Sequence, residues 1–344
     1  MASVTADSTT WITGHSANSF SEVNQTNENL VDLLPTSLVL IYNICVKYLA
    51  FMIWIFAVPA NILIVSILTK EKHGTSSTCV YFLSLAFADL CVNFRTFNFW
   101  LVRSNLVTYT SDFECQIEKG YPLLGMLASS WTLATISVER MLSVCIPYRM
   151  KNVCTVNVAR ASVVSIWMVS TSMALLNGWF HHMGEAYCEI KNEYRDFFID
   201  HIVHLDYCLD VVVPFFVILF NSVITIVRLR SRKTSSKTVP KAFGKPIFIL
   251  VLIINAIFFI TQVPYGVIFV VQQVNLRSTS KLRMFYLLYL ERILLVLKYV
   301  NYALNFYIYF LTASQFRQET KEVFISCKER FFAFWVRLTK CCNR

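Results

Sequence analysis

The sequence predicts an all-α membrane protein, a bundle of seven transmembrane helices followed by a short amphipathic helix. Composition is the first observation, because 56% of the 344 residues are hydrophobic and 15% are charged, with a mean hydropathy of +0.53. The second is a series of seven long apolar stretches, each long enough to span about 30 Å of hydrocarbon as a helix of roughly 20 residues. Inside a bilayer the backbone must satisfy its own hydrogen bonds, so such unalternated runs form helices.

These stretches divide the chain into three regions. Residues 1–37 are predicted to form a disordered extracellular tail, because Met1 to Leu33 carries acidic residues and no Lys or Arg. Residues 38–311 hold the seven helices, and residues 312–344 form a cytoplasmic tail with the amphipathic helix. The predicted helices cover residues 38–68, 77–102, 118–145, 158–180, 202–228, 246–272 and 284–311.

Positive charge sets the predicted orientation. Seven Lys and Arg residues lie between Arg228 and Lys245, and more follow in the C-terminal tail, whereas the opposite loop from Glu185 to Asp200 is mostly acidic. Short cytoplasmic loops carry the excess of Lys and Arg, which places the N-terminus outside the plasma membrane. Because the cations lie beside membrane segments, anionic lipid is the predicted partner, and nucleic acid is not.

The cysteines suggest two modifications. Of 11 cysteines, Cys115 and Cys188 fall on the predicted outer side, where a disulfide can form; two free thiols are the alternative. Cys341 and Cys342 follow a basic, aromatic stretch that suits palmitoylation, although an unmodified tail is the alternative. Asn24 begins an Asn-X-Thr glycosylation sequon. No cysteine and histidine spacing is typical of a metal site.

Several residues stand at characteristic places along the helices. They are Asn61, Asp89, Cys115, Arg140, Trp167, Pro214, Phe258 with Pro264, and Asn305 to Tyr309, followed by Phe316. In this order and spacing they resemble the class A, rhodopsin-like G-protein-coupled receptors over about residues 38–320. The resemblance implies a receptor, not an enzyme, that binds an extracellular ligand and activates a heterotrimeric G protein.

The resemblance assigns Glu139, Arg140, Asn305 and Tyr309 to activation and G-protein coupling. Pairing of Glu139 with Arg140 is predicted to hold the cytoplasmic face closed until activation breaks it. Two interfacial side chains that extend toward water are the alternative.

An ionisable residue inside a membrane segment indicates function, and Asp89 lies in the middle of the second stretch. The resemblance groups Asp89 with Ser129, Asn301 and Asn305, whose oxygen atoms suit an allosteric sodium ion, the one cofactor predicted. A purely structural polar network is the alternative.

Three positions depart from the family pattern. Gln262 replaces the usual Trp, Phe306 replaces the proline after Asn305, and Ser222 stands where a Tyr is expected. Without that proline the seventh helix keeps a hydrogen bond and is expected to be straighter.

The charges in the outer half of the bundle suggest the ligand. Pro122 stands 18 residues before Arg140, where amine receptors carry an Asp, which argues against a monoamine. Asp206 and Asp210 are spaced to share a helix face, and an acidic wall opposite cations suits a peptide with a basic side chain. Pairing of these charges with one another is the alternative. The predicted ligand-binding residues are Arg95, Phe99, Glu118, Asp206, Tyr207, Asp210, Tyr265, Phe269, Gln272, Glu291, Lys298 and Tyr299.

A neuropeptide receptor similar to the invertebrate FMRFamide-like kind is therefore the favoured hypothesis. A chemosensory or orphan receptor for a small molecule is the nearest alternative, and a transporter or channel is the alternative from another class. An opsin is disfavoured, because Tyr299 and not Lys298 holds the position six residues before Asn305.

Overall fold

The computed structural model describes residues 35–70, 76–104, 106–184, 188–234, 245–275, 281–312, 314, 316–325 and 328–329. These residues form seven long helices, which confirms the predicted fold class. Helix α1 covers Thr36–Leu68, with a π-helical segment at Ile44–Leu49. Helices α2 to α4 are Ser77–Arg103, Asp112–Cys145 and Val156–Trp179, with a short helical turn at Met150–Val153 between the last two.

A two-stranded antiparallel hairpin follows α4. Its strands are β1, His181–Met183, and β2, Cys188–Ile190. A 3₁₀ turn at Asn192–Tyr194 then leads into α5, residues 195–234, which contains π-helical segments at Phe198–Ile202 and Cys208–Val212. Helices α6 and α7 are Lys245–Asn275 and Lys281–Thr312, and α8 covers residues 316–325.

Local signals explain where several helices begin. Ser111 caps α3 by accepting a hydrogen bond from the Glu114 backbone, and the Glu114 side chain completes the capping box. Thr155 caps α4 in a similar way through Val158. α3 therefore begins six residues before its predicted apolar start, because the cap and not hydropathy sets the helix end.

Six helices of the described chain, α1, α2 and α4 to α7, are long and apolar enough to cross a membrane. The remaining one, α3, is 34 residues long and lies centrally, packed against α2, α4, α5 and α6. Its buried face includes Ser129, Ser130, Thr132 and Ser137, which lowers its hydropathy. Polarity at a protein-covered helix is compatible with a membrane because the lipid does not contact it.

Two glycines permit the close approach of α3 and α4. A Cβ at Gly178 would lie 2.6 Å from the Gln116 carbonyl oxygen, and a Cβ at Gly120 would collide with the Ala174 carbonyl. Larger residues there would separate the two helices.

The interior and the outside of the bundle differ in their side chains. Large apolar side chains on the outer surface, among them Phe216, Phe220 and Met168, are more than half exposed in the isolated chain, as expected of a surface that faces lipid. α7 is continuous through Asn305–Tyr309 and contains no proline, in line with the sequence.

Candidate ligand and coupling sites

Cys115 at the start of α3 and Cys188 in β2 form a disulfide, as predicted. We call this end of the bundle the disulfide end and the opposite end the Arg140 end. The hairpin is further fixed by the Met183 backbone N–H, which donates to Asp112 Oδ1 at 2.7 Å. These contacts hold the β1–β2 hairpin against the end of α3.

His181 anchors the hairpin to α4. Its buried ring donates from Nδ1 to the Asn177 carbonyl oxygen at 2.8 Å. Burial lowers the pKa of His181 to about 4, so the ring is neutral near pH 7. The sequence analysis did not identify this residue, since a lone histidine gives no signal of burial.

Arg95 on α2 pairs with Glu118 on α3 within the disulfide end. Arg95 Nη1 lies 2.5 Å from Glu118 Oε1, and the Asn98 amide donates to Glu118 Oε2 at 2.7 Å and to the Tyr109 hydroxyl at 2.8 Å. Two predicted ligand residues thus satisfy each other's charge.

Lys298 on α7 pairs with Asp210 on α5. Lys298 Nζ lies 2.5 Å from Asp210 Oδ2, and the ring centroid of Tyr265 lies 4.9 Å from the same nitrogen. The Ser130 hydroxyl donates to Asp210 Oδ1 at 3.3 Å. The predicted acidic wall and its opposing cation are therefore in contact across the bundle, which is the pairing that the sequence left open as an alternative.

Asp206 faces a different partner from Asp210. Its Oδ2 accepts a hydrogen bond of 2.6 Å from the Asn177 amide of α4. The segment after Asp206 is π-helical from Cys208 to Val212. Although Asp206 and Asp210 are spaced i, i+4, their carboxylates contact different residues, Asn177 and Lys298. Next to Asp206, the Tyr207 ring stacks on Phe269 of α6 with centroids 4.4 Å apart.

The remaining predicted ligand residues also lie toward the disulfide end. Glu291 pairs with its neighbour Arg292 at 3.5 Å, and Tyr299 is buried. Gln272 is buried, and its Nε2 has no hydrogen-bond partner in the described part of the chain. The side chain of Phe99 lies outside the described residues.

Asp89 lies at the centre of a buried polar network. Asp89 Oδ1 accepts from the Ser129 hydroxyl at 2.8 Å, and Oδ2 accepts from the Asn305 amide at 2.5 Å. No ion pair joins Asp89 to a cationic side chain among the described residues, although the carboxylate is fully buried. A buried carboxylate in such a place is stable either protonated or with a bound cation.

Two more asparagines lie beside this network, of which the sequence analysis named Asn61 and missed Asn93. Asn93 donates to the Asp89 carbonyl oxygen at 2.7 Å, and Asn61 donates to the Tyr302 carbonyl oxygen at 3.0 Å. The Asn93 Oδ1 has no hydrogen-bond partner in the described chain, so an oxygen ligand is available close to Asp89. The i, i+4 spacing from Asp89 was the signal that could have found it. Asn301, the fourth residue predicted for this group, is buried on α7.

Arg140 and Glu139 are both buried at the opposite end. Arg140 Nη2 lies 2.6 Å from Glu139 Oε1 and donates to the Thr78 hydroxyl at 2.6 Å. Glu139 Oε1 also accepts from the hydroxyls of Ser77 at 2.9 Å and Thr78 at 3.1 Å. The ion pair is thus tied to the start of α2 and is not an interfacial pair extending into solvent.

The positions that depart from the family pattern have their own partners. The Gln262 amide donates to the Tyr302 hydroxyl at 3.4 Å, and Ser222 accepts from the Asn255 amide at 2.8 Å, which joins α5 to α6. Phe306 packs against Phe316 of α8. The Tyr309 hydroxyl is buried with no hydrogen-bond partner in the described part of the chain.

Three predicted modification sites, Asn24, Cys341 and Cys342, lie outside the described residues.

Residues 60–309 match the model of the 7 transmembrane receptor (rhodopsin) family. The chain therefore belongs to this family of multi-pass membrane receptors.

Among its curated relatives, the thyrotropin-releasing hormone receptor of Homo sapiens is 28% identical over 170 residues, which cover 46% of this chain and 39% of the relative. The substance-K receptor of Mesocricetus auratus is 24% identical over 120 residues, covering 34% and 30%. Galanin receptor 2a of Danio rerio is 30% identical over 126 residues, covering 35% and 33%. The matched part of the chain thus spans about two fifths or less of the length of these relatives.

Proposed function

We propose that the protein is a plasma-membrane receptor that binds an extracellular peptide at the disulfide end and activates a heterotrimeric G protein at the Arg140 end. The observation that carries the proposal is the family match, together with buried polar groups at both ends of one bundle. In this orientation the N-terminus is outside, and the basic segment between α5 and α6 meets the anionic inner leaflet.

A peptide ligand is supported by the three relatives described above, which are receptors named for thyrotropin-releasing hormone, substance K and galanin. An invertebrate FMRFamide-like peptide is the finer hypothesis and rests on the sequence, since the relatives are vertebrate receptors named for other ligands. Asp206 is half-buried and accepts a hydrogen bond from Asn177, and no ion pair joins it to a cation within the described part of the chain, so it offers a carboxylate to a basic peptide group.

The test is a screen of amidated neuropeptides for calcium release in cells that express the chain with a promiscuous G protein. A peptide with a basic side chain is expected to cause calcium release. Arg140→Ala at equal surface expression is expected to abolish that release. Silence across the panel would favour a small-molecule ligand, whereas solute flux without G-protein activation would favour a transporter.

With a peptide in hand, Asp206→Asn is expected to raise its half-maximal concentration about tenfold, the size of one lost charged hydrogen bond. Asp200→Asn, a change at an exposed residue earlier in the same helix, is the matched control. Unchanged potency in Asp206→Asn would remove this carboxylate from the ligand site.

We also propose that a sodium ion binds at Asp89, Ser129 and the amide oxygens of Asn305 and Asn93, where it would neutralise the buried carboxylate. Sodium chloride is then expected to raise the Tm of the purified receptor above its value in choline chloride. The difference should vanish in Asp89→Asn. An equal salt effect in both proteins would refute the ion site.

A further inference from the structure

The ion pair of Asp210 and Lys298 joins two helices that are not neighbours in the bundle. α5 packs mainly against α3 and to a smaller extent against α6, whereas α7 packs against α6, α1 and α2. The side chains of Lys298 and Asp210 are nevertheless in contact and only 2% and 8% exposed. The pair therefore crosses the interior of the bundle at the depth of the predicted ligand residues.

The groups around the Lys298 ammonium are a carboxylate and an aromatic ring, which are also the groups that bind a basic group of a ligand. Asp210 supplies a carboxylate oxygen at 2.5 Å, and the Tyr265 ring lies 4.9 Å from the nitrogen. Ser130 occupies the other carboxylate oxygen and fixes its direction. A carboxylate with an aromatic face binds ammonium and guanidinium groups alike.

The α5 side of this site has more acidic than basic side chains. Asp206 and Asp210 lie one turn apart, and Lys298 pairs with Asp210. Arg95 forms its own ion pair with Glu118 on the far side. Among the described residues no ion pair joins Asp206 to a cation, so the α5 side holds two carboxyl groups and one base, Lys298. A second cation is favoured there.

We propose that Lys298 is a built-in substitute for the basic group of the ligand. Its ammonium occupies Asp210 in the ligand-free bundle, and an ammonium or guanidinium of the ligand takes that place by displacing it. The displaced lysine needs an acceptor, and a peptide supplies one in its backbone carbonyl oxygens. The proposal rests on the proposed function in one respect, that the ligand enters at the disulfide end.

The test is whether Asp210 binds an added cation once the Lys298 ammonium has been removed by substitution. Lys298→Ala leaves a buried carboxylate unpaired and is expected to lower the Tm of the purified receptor by roughly 5–10 °C. n-Propylammonium has the atoms that the substitution removes. It is expected to restore most of the lost Tm in a saturable manner and to change the wild-type Tm much less.

Three controls define the outcome. Propan-1-ol, which has the same length and no charge, should not restore the Tm. The double variant Asp210→Asn, Lys298→Ala has no carboxylate to fill and should not respond to the amine. Lys191→Ala removes a lysine that lies over the Trp179 ring outside the bundle, and it should not respond either.

Saturable recovery by the amine that depends on Asp210 supports the proposal. No recovery, or equal recovery with propan-1-ol or without Asp210, overturns it. If Lys298→Ala yields no folded protein, the same comparison is made on folded yield, with the amine or the alcohol present during expression and purification. Neither readout involves a G protein or a peptide, so its failure is distinguishable from failure of the proposed function.

Discussion

Arg140 is held in place by hydroxyl groups from another helix as well as by Glu139. The pairing of the two adjacent residues could be predicted from the sequence, but Ser77 and Thr78 lie 62 and 61 residues from Glu139 along the chain. Which faces of α2 and α3 meet depends on the rotation and depth of each helix, and no local pattern specifies either. The structure therefore extends the predicted latch to the start of α2.

Loss of the Thr78 hydroxyl is expected to weaken that latch. Thr78→Val removes the 2.6 Å hydrogen bond to Arg140 while keeping the side-chain volume. A hydrogen bond to a charged group contributes about 1.5–3 kcal/mol, so agonist-independent signalling should rise about tenfold or more from a low basal level. Basal second messenger at matched surface expression is the measurement.

Thr171→Val is the matched control, because that hydroxyl bonds to its own helix at Trp167 and is exposed. Equal basal signalling in Thr78→Val, Thr171→Val and wild type would mean that the Arg140 contacts do not restrain activation.

The partners of the buried charged residues could not be predicted from the sequence either. The sequence identified Asp210, Lys298, Arg95 and Glu118 as unusual inside a membrane segment, and all four are buried or nearly so. It could not say which acid met which base, because each pair bridges two helices. The pairs between α2 and α3 and between α5 and α7 emerge from the packing of the bundle.

At the scale of elements, α5 departs most from its sequence prediction. Residues 202–228 were expected as one regular helix, whereas the structure has a longer helix with π-helical segments at Phe198–Ile202 and Cys208–Val212. Pro214 has no N–H to donate to the Asp210 carbonyl, which interrupts the α-helical pattern beside Asp210. Hydropathy is insensitive to such a change in hydrogen-bond register.

Trp131 of α3 supports the irregular part of α5, because its indole N–H donates to the Leu209 carbonyl oxygen at 3.0 Å. Trp131→Phe leaves that carbonyl without its donor and is expected to cost about 1–3 kcal/mol of unfolding free energy. The measurement is the Tm of the purified receptor, which should be lower in Trp131→Phe than in wild type. Trp54→Phe is the matched control, since the Trp54 N–H has no hydrogen-bond partner in the described chain. A Tm loss no larger than in the control would contradict the role of this bond.

The hairpin at the disulfide end is expected to weaken in acid. His181 titrates near 6.5 in the unfolded chain, and burial lowers its pKa to about 4 in the folded protein. Above pH 6.5 the His181 ring is neutral in the folded and in the unfolded protein. Between pH 6.5 and about 4 the ring is protonated in the unfolded chain and remains neutral in the folded protein. Stability therefore falls as the pH drops from about 6.5 to about 4, by up to roughly 3 kcal/mol.

Tm values measured at pH 7 and pH 4.5 check this expectation. The decrease should be smaller in His181→Gln than in wild type, while His204→Gln, at an exposed histidine, should behave as wild type. The same decrease in all three proteins would assign the acid sensitivity to other groups.

At the scale of the whole molecule, the seven-helix fold was predictable because the bilayer leaves few choices for a chain with seven apolar stretches. The Cys115–Cys188 bridge was also predictable, since the topology placed these two thiols together on one side. Helix ends and the β1–β2 hairpin were not, because they depend on polar contacts such as the Ser111 cap and the Asp112–Met183 bond. Apolar periodicity carries no information about either.

One central helix, α3, runs from the disulfide end of the bundle to the Arg140 end. α3 carries Glu118 and Cys115 at the disulfide end, Ser129 beside Asp89, and Arg140 at the other end. A shift of α3 relative to α2 and α5 would therefore change all three polar sites together. We infer that this shared helix couples ligand binding to the Arg140 end.

The central claim, that the protein is a receptor that activates a G protein, is tested most directly by nucleotide exchange. The purified receptor in lipid nanodiscs is combined with a heterotrimeric G protein and with an agonist found in the peptide screen. Faster exchange with agonist in wild type, and none above background in Arg140→Ala that still binds the agonist, is the predicted result. Agonist binding to wild type without any acceleration of exchange, across the G-protein classes, would contradict the account.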